Sequence, residues 1–101
     1  MKGPDIIASI QFLRPEEGGR TKPLSGTVFK CPFEFQNEKF DCGLHLGGDK
    51  IIPPGAHITV PITFLFPGYV KPRLRVGSRF TLWERGTIAS GIVEEILGAD
   101  T

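Results

Sequence analysis

The stretch "RFTLWERGTIASGIVEEIL", residues 79–97, decides the fold. Phe80 and Leu82 alternate with Arg79, Thr81 and Trp83. That period of two puts successive side chains on opposite faces of a strand. Glu84-Arg85-Gly86 breaks the pattern as a hairpin turn does. Ile88, Ile92 and Ile96 follow it and predict a second arm whose apolar residues share the face of the first. Ser90-Gly91 interrupts that arm, as a bulge or a close backbone approach does. The stretch therefore predicts an antiparallel hairpin with Phe80, Leu82, Ile88, Ile92 and Ile96 as its structural face.

The same period runs through the chain upstream. Ile6, Ala8, Ile10 and Phe12 form one phase of a first strand. The polar, glycine-rich loop "RPEEGGRTKPLSG", residues 14–26, follows it. Phe29, Cys31, Phe33 and Phe35 make the next phase. Pro32 has no N–H for a ladder, which predicts an edge or a bulge there. "QNEK" reads as a loop. In "FDCGLHL" the apolar phase is Phe40, Cys42, Leu44 and Leu46; in "HITVPITFLF" it is Ile58, Val60, Ile62, Phe64 and Phe66. "PGYVKPRLRVGS" is a long connection with room for a short strand around residues 74–76. Only "IVEEIL" is ambiguous between helix and strand. Six or so short strands at this spacing predict an all-β fold, a small antiparallel barrel or sandwich. Closure into a barrel removes the exposed edges that short strands leave.

Composition sets the frame. The chain has 101 residues, read as a single domain over residues 1–101. It carries 12 Lys and Arg against 11 Asp and Glu, a net charge of +1. That balance exerts no global pull on nucleic acid or anionic membrane, so any charge argument is local. No stretch reaches the roughly 20 apolar residues of a membrane helix. Nor does an apolar signal core follow Met1-Lys2-Gly3-Pro4-Asp5. A soluble cytoplasmic protein is the expectation. Two cysteines make no disulfide framework.

Catalytic chemistry finds little to build on. Cys31, Cys42, His45 and His57 match no familiar metal spacing, and Cys42 and His45 point to opposite faces of one strand. Ser90 lies in "TIASGI", which lacks the first glycine of a nucleophile elbow. Glu16-Glu17 and Glu94-Glu95 are sequence neighbours rather than facing pairs. No phosphate-cradling G-x-x-x-x-G-K-[ST] run occurs. The reading is no catalytic residue, no metal, no cofactor and no nucleotide.

Binding residues are easier to nominate. In "YVKPRLRVGSR", Lys71, Arg73 and Arg75 recur at every second position, so an extended chain would place them on one face beside Tyr69. They could hold phosphates while the ring stacks on a base. The simpler reading is a solvated loop whose charges protect an edge. Trp83, beside Glu84 and Arg85, is a contact anchor if exposed; the alternative is that it lies over the barrel rim.

At this point four motifs in order gain meaning: Glu17-Gly18-Gly19-Arg20 with Pro23, Phe33-Glu34-Phe35, Pro54-Gly55 before an alternating strand and Pro67, and the closing hairpin. Together they resemble the third, C-terminal domain of bacterial elongation factor Tu across essentially the whole chain. The resemblance implies a six-stranded antiparallel Greek-key barrel. It implies contacts with the T-stem of aminoacyl-tRNA and with protein partners, an exchange factor among them. By position, Glu84 falls on a tRNA-contacting glutamate and Arg20 on the arginine of the first-hairpin motif. Elsewhere the contact residues differ. Pro32 replaces a glutamine, Asp41 lies near the place of a T-stem threonine, and Thr21-Lys22 stand for a histidine-threonine. A retained barrel with altered contacts suggests another use.

The expected function is a non-enzymatic binding module for structured, tRNA-like RNA or for a translation-machinery protein, with Arg20, Lys71, Arg73, Arg75, Trp83 and Glu84 as binding residues. The alternative is a protein-interaction decoy or accessory subunit that mimics the elongation factor and binds no RNA. Oligomeric state stays open, because the edge suggested by Pro32 could recruit a second copy.

Overall fold

The computed structural model describes residues 3–98. Its strands are β1 (Ile6–Phe12), β2 (Val28–Phe35), β3 (Glu38–His45), β4 (His57–Phe64), β5 (Arg79–Trp83) and β6 (Thr87–Ile96). They close into a barrel in the order β1-β4-β3-β2-β5-β6, with every neighbouring pair antiparallel. Strands β2, β3 and β4 follow one another directly, and β1 lies beside β4 after a long connection. This is the Greek-key arrangement. No helix among the described residues is long and apolar enough to cross a membrane.

The apolar phases read from the sequence meet inside. Phe33 stacks on Phe80 with ring centroids 4.2 Å apart and meets Phe64 edge-on at 4.8 Å. Ile6, Ile10, Leu44, Ile62 and Leu82 are fully buried around these rings. Gln36 and Asn37, both with positive φ, form the two-residue turn between β2 and β3. So "QNEK" is half turn and half strand.

That tight turn explains Pro32. Two-residue hairpins pair the residues flanking the turn through both hydrogen bonds, and the bonding alternates from there. Phe35 faces Glu38, so Pro32, opposite Asp41, sits where its nitrogen points away from β3. It points toward β5, whose ladder with β2 covers only Phe33–Leu82 and Glu34–Thr81. The ladder ends where the next donor would be a proline. The strand is not bulged at Pro32; Pro32 lies on the stretch of β2 that runs as an edge beyond its ladder with β5.

Three expectations are corrected. In β6, Thr87 faces Trp83 and Ala89 faces Leu82, which leaves Ile88 as an extra residue. A second shift lies against Ile7 and Ala8 of β1. These two bulges rephase the strand. Ile88 and Ile96 pack on the core, but Ile92 faces outward, and Ala89, Gly91 and Val93 fill the inside. Gly91 is the predicted close approach: a Cβ there would lie 2.7 Å from Phe80 Cε1 and 2.9 Å from the Ser9 carbonyl oxygen. Phe66 is not core either. β4 stops at Phe64, and Phe66 is exposed before Pro67. Finally, residues 74–76 form no strand, because the β4–β5 connection coils into two 3-10 turns, Pro67–Tyr69 and Lys71–Arg73. A proline within the first two positions of each turn presets the required φ.

Register defines the two ends of the barrel. The far end carries the β1–β2 loop, the β3–β4 connection and the β5–β6 turn. The near end carries the β2–β3 turn and the β4–β5 connection, beside the start of β1.

Candidate functional site

At the far end, the first loop folds back over the barrel. Pro15–Glu17 forms a 3-10 turn, and Glu17 Oε1 accepts the Arg14 backbone N–H at 2.8 Å. That bond and the guanidinium of Arg14 hold the Glu17 carboxyl below its ordinary pKa. The Gly19 amide donates to the Arg14 carbonyl at 3.0 Å, and the chain passes so close to Leu13 that a Cβ on Gly19 would clash with it. Further on, Leu24 and Ile52 exchange two backbone hydrogen bonds at 2.8 Å and bury their side chains, pinning the loop to the β3–β4 connection.

Between these anchors Arg20 reaches the closing turn. Its Nη1 donates to Glu84 Oε2 at 2.6 Å, and its guanidinium carbon lies 5.2 Å from the centre of the Phe29 ring. An open depression of about 560 Å³ lies between loop and turn, lined by Arg20, Lys22, Glu84 and Arg85 over the glycines 18, 19 and 86. Three cationic side chains there face one carboxylate, so the local charge is positive although the chain as a whole is near neutral. Lys22, Glu84 and Arg85 are exposed. The arrangement can donate to phosphate oxygens and, through Glu84, accept from a hydroxyl.

The other nominated residues lie elsewhere. Lys71, Arg73 and Arg75 are at the near end and share no face. Lys71 Nζ donates to the Leu97 carbonyl at 2.6 Å and lies 3.6 Å from Asp5 Oδ1. Asp5 is buried, and its Oδ2 accepts the Phe64 N–H at 2.8 Å. Arg73 pairs with Glu38, donates to Gln36 Oε1 at 2.8 Å and sits over the Phe35 and Phe40 rings. Arg75 is exposed. The alternating cations are therefore not aligned, because the 3-10 turns replace the extended chain that would have aligned them.

Trp83 is half-buried rather than free. Its Nε1 donates to Glu34 Oε1 at 2.8 Å, Thr81 Oγ1 donates to the same oxygen at 2.9 Å, and Lys39 Nζ lies 4.1 Å from the indole centre. Those two donors, with Lys39 nearby, hold the Glu34 carboxyl below its ordinary pKa. The indole braces β5 against β2 where their ladder ends.

Sequence reasoning missed two groupings. Leu65 and Phe66 join Tyr69 as an exposed apolar cluster at the near end, with the two rings 6.2 Å apart. Pro67-Gly68 was the signal, since a strand ending there cannot carry Phe66 inward. Across β1 and β4, Ser9 Oγ lies 2.6 Å from His57 Nε2 on an exposed polar face. Nothing local in the sequence pairs residues 48 positions apart.

The fold and the far end define a class: a small closed antiparallel barrel with a positive depression between its first loop and its closing turn. No family model matches the chain.

Proposed function

We propose that the chain is a non-enzymatic binding module of the translation machinery that holds structured, tRNA-like RNA against the far end of its barrel. The observation that carries this reading is the convergence of Arg20, Lys22 and Arg85, with Glu84, around one open depression. Guanidinium and ammonium groups neutralise phosphates, and Glu84 accepts a ribose 2′-hydroxyl. The ordered motifs that resemble the elongation factor Tu domain support the same end of the barrel, since Arg20 and Glu84 are the two positions that match. A cytoplasmic setting goes with it. Filter binding of tRNA over a salt series tests it. Lys22→Ala and Arg85→Ala should each flatten the logarithmic salt slope by about 0.7–0.9. An affinity indifferent to salt overturns the proposal.

The exposed Leu65, Phe66 and Tyr69 favour a second reading, an accessory or decoy subunit that docks a translation protein without RNA. Capture experiments with the intact chain that recover RNA and no protein would count against it.

A further inference from the structure

Cys31 and Cys42 are used by nothing described so far. They face each other as Cα partners across β2 and β3, and both are free. Facing pairs in an antiparallel ladder hold their Cα atoms about 4.5–5.5 Å apart. That lies inside the span of about 4.4–6.8 Å that a disulfide bridges. By the alternation from Phe35 and Glu38 they form a hydrogen-bonded pair, the wider kind, so their Cβ atoms must draw together by about 1–2 Å. Both side chains belong to the buried core of the barrel.

Both side chains are buried in the barrel core, so a peroxide reaches them only when this stretch opens; a hollow of about 660 Å³ borders both residues. Cys31 is next to Pro32, beyond the last rung of the β2–β5 ladder, so its stretch of β2 lacks a partner on that side. Local opening of this stretch breaks few bonds.

We propose that Cys31 and Cys42 are an oxidative modification site, forming a reversible intramolecular disulfide that cross-links β2 to β3. A hydroperoxide is the co-reactant. It oxidises one thiol to a sulfenic acid; with hydrogen peroxide this releases one water. The second sulfur attacks the sulfenic sulfur and a second water leaves. Two thiols and one hydrogen peroxide thus give one disulfide and two waters. A dithiol reductant reverses the reaction by exchange. The neighbouring Cys31 and burial push the Cys42 thiol pKa up, so the reaction is slow at neutral pH and quickens as pH rises.

The test uses the intact folded chain. It is treated with hydrogen peroxide, denatured, alkylated with N-ethylmaleimide and weighed. The expected product is monomeric, two mass units lighter, with no alkylated cysteine and with a peptide linking Cys31 to Cys42; dithiothreitol restores both thiols. Cys31→Ser and Cys42→Ser should each abolish the loss of two mass units. The oxidised protein should also melt at a higher temperature than the reduced one. Stable oxygen adducts, a disulfide-linked dimer, or closure only after denaturation would each overturn the proposal. The readout is independent of RNA binding.

Discussion

Glu84→Gln should strengthen RNA binding and make it more sensitive to salt. In the native protein Glu84 occupies a donor of Arg20 at 2.6 Å, leaving Lys22 and Arg85 as the uncommitted cations of the depression. Each neutralised phosphate of a duplex steepens the logarithmic salt dependence by about 0.9. Two contacts give a slope of about −1.8, so raising monovalent salt from about 50 to 200 mM weakens binding about 12-fold. Glutamine removes the charge and keeps a carbonyl that can accept a ribose hydroxyl. Arg20 is then free to make a third contact. The slope becomes about −2.7, and the same change in salt weakens binding about 42-fold. Filter binding of tRNA at four salt concentrations measures both slopes. The barrel should stay folded, because a partly exposed ion pair contributes at most about 1 kcal/mol. A thermal melt checks that. If the variant binds more weakly at every salt concentration with an unchanged slope, Arg20 does not reach phosphate and the far-end reasoning fails.

Three further predictions concern what holds the barrel. Gly91→Ala forces a Cβ against Phe80 and the Ser9 carbonyl, and should cost about 1–3 kcal/mol in chemical denaturation. Alanine in a strand is otherwise preferred to glycine by about 0.5–1 kcal/mol, so a neutral result would refute the clash. Adding Phe80→Leu should recover part of the loss. Asp5→Ala strands the buried Phe64 N–H and takes a partner from Lys71; it should cost about 3 kcal/mol, with Asp5→Asn costing less. Equal losses would show that the hydrogen bond is not what Asp5 provides. The lowered Glu34 pKa adds stability that is complete above the unfolded glutamate value of about 4.3 and is lost as pH falls through the lower folded value. Acid titration followed by emission of the single tryptophan, Trp83, should therefore be steeper in the native chain than in Glu34→Gln.

What was legible in the sequence was whatever a period of two can carry. Ile6, Ala8, Ile10 and Phe12 all point inward, as do Val60, Ile62 and Phe64, because those strands are regular. β6 was harder. Ile88, Ile92 and Ile96 invite a common face, yet the strand is rephased between its two bulges, which turns Ile92 outward and leaves Gly91 beneath Phe80. The identity of a bulge is settled by its partner strand, which local pattern does not contain. The candidate site divides in the same way. Arg20 and Glu84 were each noticed, but their meeting depends on barrel closure across 64 residues. Lys71, Arg73 and Arg75 were aligned on the premise of an extended chain, and Pro67 and Pro72 defeat it. Whether Trp83 is an exposed anchor or lies on the barrel stays open in the sequence, because its partners, Glu34 and Lys39, belong to strands far from it.

The missing donor at Pro32 also sets how this cylinder comes apart. A closed barrel has no natural starting point for unfolding unless one of its seams is shorter than the rest, and here the β2–β5 seam is two residue pairs long. Deuterium should enter the amides of Glu34 and Thr81 before those of the β1–β6 seam, with the Trp83 indole as the last tie between the parting strands. Opened there, the chain becomes a flat six-stranded ribbon with β2 and β5 as its exposed rims, so the same proline fixes which two strands first become available to another molecule.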